Sequence, residues 1–68
     1  MGMRTRLKIV REYKGLSQSE LADKSGVSLR AIQAYEQGYK DFGKAQLATA
    51  LKLADALECD VRELVDKK

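Results

Sequence analysis

The chain has 68 residues and a formal net charge of +3, with 13 Lys and Arg against 10 Asp and Glu, no proline, no histidine and one cysteine. That length holds one domain, over 1–68, whose small core needs tight helix packing or a second copy for support. Cys59 has no partner for an internal disulfide, no apolar run is long enough for a signal peptide or membrane span, and a cytoplasmic location is expected.

Abundant Ala, Leu, Lys, Glu and Arg, with few β-branched runs, point to an all-α fold without strands. A first helix opens at Arg4 or Thr5 and runs to Tyr13 or Lys14, with Leu7, Val10 and Tyr13 turned inward and Gly15 ending it. Ser17 followed three residues later by Glu20 writes a capping box, so a second helix begins at Gln18. Its inward stripe is Leu21 and Ala22, while Gln18, Ser19, Asp23 and Lys24 fall on the wetter side. Gly26 stops it, because glycine enters the left-handed conformation without a Cβ penalty. Ser28 then caps a third helix, Leu29 to Gln37, which Gly38 ends in the same way.

Only Gly26, Val27 and Ser28 join the second and third helices, and so short a link makes them cross steeply, the geometry of a helix-turn-helix over about 17–37. With Ile32 at the centre of the buried side of the third helix, Tyr35 and Glu36 lie near it and Arg30, Gln33, Ala34 and Gln37 face away. One Arg and two Gln on an exposed face suit the edges of bases. A loop bracketed by Gly38 and Gly43 follows, with Phe42 folding back onto the core. The fourth helix runs from Gln46 or Leu47 to Leu57 on a stripe of Leu47, Ala50, Leu51, Ala54 and Leu57, with Leu53 widening it toward a neighbour. Asp60 with Glu63 repeats the capping box, so a short fifth helix from Val61 to about Asp66 is expected to offer Val61, Leu64 and Val65.

Charge is unevenly spread: residues 1–44 hold nine basic and five acidic side chains, residues 45–68 four and five. The positive part contains the helix-turn-helix, the polarity that attraction to phosphates requires, although a Lys-rich face by itself is ordinary solvated surface. An enzyme is not expected. No Gly-rich phosphate cradle follows a strand, no metal ligands cluster, and no Ser or Cys has a base beside it. Neither a cofactor, a metal nor a small-molecule ligand is expected. Cys59, without a histidine or second cysteine, is read as a small buried hydrophobe.

Leu16, Ser17, Gln18, Leu21, Ala22, Gly26, Val27, Ser28, Ile32, Tyr35, Glu36 and Gly38, at these spacings, resemble the lambda-repressor and Cro-like helix-turn-helix proteins of the xenobiotic-response-element type. The likeness extends to Arg11 and, more loosely, to Leu53 through Leu57 and Leu64. It implies a compact five-helix DNA-binding domain whose third helix enters the major groove. It also implies a phosphate contact by Gln18, helped by the free amides at the start of the second helix, and an ion pair between Arg11 and Glu36 beneath the DNA-facing surface.

On that resemblance the candidates for base reading are Ser28, Leu29, Arg30, Gln33, Ala34 and Gln37, with Arg30 foremost because its fork bonds guanine O6 and N7 together. The phosphate candidates are Ser17, Gln18, Arg11, Tyr39, Lys40 and Lys44. Two departures stand out. Glu58 occupies a helix end where many relatives place Gly, and Leu29 and Ala34 are less polar than the reading faces of some members. The function implied is a small regulator of transcription, a repressor in a prokaryote or phage. It would bind a double-stranded operator as a homodimer through the fourth and fifth helices, where Leu53, Val61 and Val65 exceed one core's needs. The alternative is an antitoxin-like interaction module with the same fold and weak or lost DNA binding. A membrane-surface helix fits worse, because no helix has the needed basic and aromatic faces.

Overall fold

The computed structural model describes residues 5–65; the expected helix start at Arg4 and helix end at Asp66 lie outside them. Four helices, α1 (Arg6–Tyr13), α2 (Gln18–Ser25), α3 (Leu29–Gln37) and α4 (Leu47–Leu57), are supplemented by two 3-10 turns, Phe42–Lys44 and Val61–Leu64. The described residues contain no strand.

Helix boundaries follow local chemistry. The Thr5 hydroxyl accepts from the amide of Lys8 and opens α1. The Ser17 hydroxyl accepts from the amide of Glu20 at 3.0 Å, and the Glu20 carboxylate accepts from the amide of Ser17 at 2.8 Å. Each satisfies a donor that a helix start leaves without an intrahelical partner. Gly26 and Gly38 end α2 and α3 at φ 76° and 86°, values that cost a residue with a Cβ on the order of 1 kcal/mol. Glu58 ends α4 at φ 55° and ψ 46° and therefore carries that cost.

α2 packs on both α3 and α4, and α1 packs on the C-terminal 3-10 turn. Leu7, Leu21, Ile32, Leu53, Leu57 and Leu64 are fully enclosed at the centre. Burying each such side chain is worth about 1.5–3 kcal/mol, so a few of them decide whether so short a chain folds. Phe42 folds back onto the core and meets the Tyr35 ring edge-on, with centroids 5.5 Å apart.

Three expectations need correction. Tyr13 points outward at 85 % exposure, because the inward side of α1 is set by Leu7, Val10 and Arg11. On α4 the buried positions are Ala50, Leu53, Ala54 and Leu57, spaced three, four and seven apart, while Leu47 and Leu51 lie exposed. The helix is thus rotated so that Leu53 belongs to this chain's own core, and it is not available to a neighbour.

The expected fifth helix is instead the single 3-10 turn Val61–Leu64. Its capping box forms, with the Asp60 carboxylate accepting from the amide of Arg62 and the Glu63 carboxylate from the amide of Asp60. With three residues per turn, Val61 and Leu64 fall on the same side. Val65, the residue after the turn, is extended and 37 % exposed, so the chain leaves the helical conformation there.

Candidate nucleic-acid interface

α2 and α3 are joined by the tight link through Gly26, Val27 and Ser28, in which Val27 is buried and its amide donates to the Ser25 hydroxyl. The Ser28 hydroxyl accepts from the amide of Ala31 and starts α3. Burying Ile32, Tyr35 and Glu36 leaves Arg30 and Gln37 exposed and Gln33 and Ala34 half-buried on the opposite side. Leu29 is 38 % exposed at the first position of the helix. The base-reading candidates therefore share one outward face and its rim. The hydroxyls of Ser17 and Ser28 hold helix starts as acceptors and each keeps its proton to donate.

One flank of α3 is closed by a charged pair. Arg11 Nε donates to Glu36 Oε2 at 2.7 Å and a terminal guanidinium nitrogen donates to Glu36 Oε1 at 3.0 Å, a two-pronged contact. The other terminal nitrogen donates to the carbonyl of Leu16 at 2.7 Å, just ahead of the Ser17 cap. The two side chains are 9 % and 2 % exposed. The hydrogen bond to Glu36 holds the Arg11 guanidinium above its ordinary pKa, against the opposing effect of burial. Arg11, a candidate for phosphate contact, is thus committed to the ion pair beneath the surface.

Gln18, half-buried at the first position of α2, joins this pair: its Nε2 donates to Glu36 Oε1 at 2.9 Å. Sequence reasoning paired Arg11 with Glu36 but missed this third member. No periodicity announces it, because the two residues meet only through the crossing angle of α2 and α3.

The other flank of α3 is an open cleft of about 660 Å³. Ser28, Ala31 and Tyr35 form one side, and Lys40, Lys44 and Lys52 bring positive charge to the other. Lys40 Nζ lies 5.9 Å from the centre of the Tyr35 ring, within range of a cation–π attraction. The amides of Tyr39 and Lys40 both donate to the carbonyl of Ala34, at 2.9 and 3.2 Å, and tie the loop to the end of α3. Tyr39 itself is 82 % exposed. Lys52 was not singled out from the sequence, since it belongs to the part of the chain in which acidic residues outnumber basic ones. No signal in the sequence marks it as part of the cleft, which it lines from α4 together with Thr49.

Cys59 is half-buried away from these surfaces, and burial, reinforced by Glu63, raises its thiol pKa. The described residues contain no cluster of metal-ligating side chains, and no described helix is long and apolar enough to cross a membrane.

A family model described as helix-turn-helix matches residues 7–64. Among solved structures, the restriction-modification controller protein C.AhdI from Aeromonas hydrophila is 41 % identical, with a TM-score of 0.76 over 87 % of this chain and 85 % of that one. No match was found among curated proteins.

Proposed function

The chain belongs to the lambda-repressor and Cro-like helix-turn-helix family, as a DNA-binding regulator of transcription rather than an enzyme, and from that premise we propose that it represses transcription by laying α3 in the major groove of a short operator. The observation that carries the reading is the outward face of α3, on which Arg30 and Gln37 are exposed and Gln33 is half-buried beside them. Arg30 bonds guanine O6 and N7, and Gln33 pairs with adenine N6 and N7. Gln18 and the first amides of α2 hold a phosphate on one side, and Tyr39, Lys40 and Lys44 meet the backbone on the other. The likeness to a restriction-modification controller makes the genes of such a system the natural targets.

A single helix reads only a few base pairs. A homodimer with half-sites one helical turn apart, about 34–36 Å, supplies the missing selectivity. Leu47 and Leu51, one turn apart on α4, and Val65 are the apolar side chains left for that contact once Leu53 is assigned to the core.

The test is selection from a random duplex library at several salt concentrations. An enriched half-site is expected, with an affinity that falls as salt rises. Arg30→Ala should relax the preference at one base position by about 1–3 kcal/mol and leave the others intact. A chain that enriches no sequence and binds no duplex at low salt would instead be an interaction module, a reading to which the apolar Leu29 and Ala34 on this face would then point.

A further inference from the structure

We propose that Glu36 is a positioning residue for DNA binding, which fixes the side-chain amide of Gln18 so that the phosphate grip of α2 and the reading face of α3 act as one rigid unit. The inference rests on the assignment of Gln18 to a phosphate and adds what makes that contact firm.

The argument begins with hydrogen-bonding capacity. An ionised carboxylate only accepts, so the end of the Gln18 amide that faces Glu36 Oε1 at 2.9 Å must be the nitrogen. One of its two hydrogens is then spent on the anchor and the other remains for an anion. In α2 the Ser17 hydroxyl already takes the amide of Glu20, and the Ser17 carbonyl takes that of Leu21. The amides of Gln18 and Ser19 are left without an intrahelical acceptor. Side-chain and backbone donors therefore converge at the start of α2, and the side-chain member is held in place from α3.

Charge explains why the anchor belongs to a pair. A lone carboxylate so near a DNA phosphate would repel it and would be costly to bury. Arg11 cancels the charge with two hydrogen bonds and leaves Glu36 free to serve as an acceptor for Gln18. Its third nitrogen holds Leu16, so the guanidinium also fixes the chain just before Ser17. Leu29, seven residues before Glu36 and on the same flank, has no polar side-chain atom.

Phosphate contacts set the register of a protein on the duplex, and base contacts read what that register presents. A grip held by a residue of the reading helix transmits the register directly. Free rotation of Gln18 would loosen it.

A double-mutant cycle tests this. Gln18→Ala, Glu36→Gln and the double variant are titrated with specific and unrelated duplexes, at a temperature where circular dichroism shows each one folded. Glu36→Gln is expected to weaken both kinds of duplex about fivefold, and by less than about twofold once Gln18 is already Ala. An undiminished loss in the Gln18→Ala background overturns the positioning role while leaving the phosphate contact intact. A Gln18→Ala variant with unchanged affinity and salt dependence overturns the contact itself and the inference with it. Should Glu36→Gln not fold, 15N relaxation of the side-chain amides in the unaltered protein decides. Gln18 Nε2 is expected to be nearly as ordered as the backbone and Gln37 Nε2 mobile; equal mobility of the two overturns the proposal.

Discussion

On one flank of α3, Glu36 is sealed against Arg11 and Gln18 by bonds of 2.7–3.0 Å; on the other, Lys40, Lys44 and Lys52 bring charge to an open, solvated cleft. The first flank is neutral overall and fixes positions. The second has a surplus of positive charge and few constraints on it. Buried, paired charge is intolerant of losing one partner, whereas exposed charge contributes in small and nearly interchangeable amounts. The same helix is therefore held by geometry on one side and surrounded by adjustable electrostatics on the other.

The severest way to break this contrast is to remove half of the buried pair. Arg11→Ala strands Glu36, whose side chain is 2 % exposed, and a loss of about 3–5 kcal/mol is expected. For a domain of this size that approaches the whole stability, and thermal unfolding followed by circular dichroism measures it. On the cleft side, Lys40→Ala and Lys44→Ala should leave folding nearly intact and weaken all duplexes alike. Each should lower the slope of log affinity against log salt by about 1 in a titration series. If either change altered base preference instead, the division of labour between the flanks would fail.

Smaller effects sharpen the comparison away from α3. Glu58→Gly should raise stability by about 1 kcal/mol, because glycine enters the left-handed region at the end of α4 without a Cβ clash. A denaturant midpoint shifted upward at constant slope is the expected readout. The smallest effect concerns Asp60, whose carboxyl is held below its usual pKa by hydrogen bonds from the side chain and backbone of Arg62. A carboxylate with a lowered folded pKa stabilises above the unfolded value, near pH 4, and that contribution fades as pH falls through the folded value. Asp60→Asn should thus lower stability slightly and evenly between pH 5 and 7, and the difference from the unaltered protein should vanish as pH falls below about 4, which flattens the acid decline seen by comparing melts.

These features differ in how far the residues alone disclosed them. The ends of α2 and α3 were legible to the residue because Ser17, Gly26, Ser28 and Gly38 act on the nearest turn of backbone. The box at Asp60 was legible for the same local reason, whereas Glu58 drew notice only through the resemblance, as a departure from the Gly of many relatives. The rotation of α4 was not, since Leu47, Leu51 and Leu53 are equally apolar and only the position of α2 selects which of them is enclosed. The length of the last helix was also hidden, because a capping box specifies a start and says nothing of what sustains the following turns. At the interface, the outward face of α3 followed from helical period, but the bond from Gln18 to Glu36 depends on how two helices cross.

The guanidinium of Arg11 joins three parts of the chain: carried by α1, it bonds the Leu16 carbonyl before α2 and the carboxylate of α3. Residues 17–38, cut out as a peptide, would lack this clasp as well as the enclosed Leu7, and would not retain the crossing of their two helices. Anyone grafting this reader onto another scaffold must carry positions 11, 16, 18 and 36 as a set. On the proposed reading, positions 30 and 33, which take no part in the clasp, are the ones to vary when a new target is wanted.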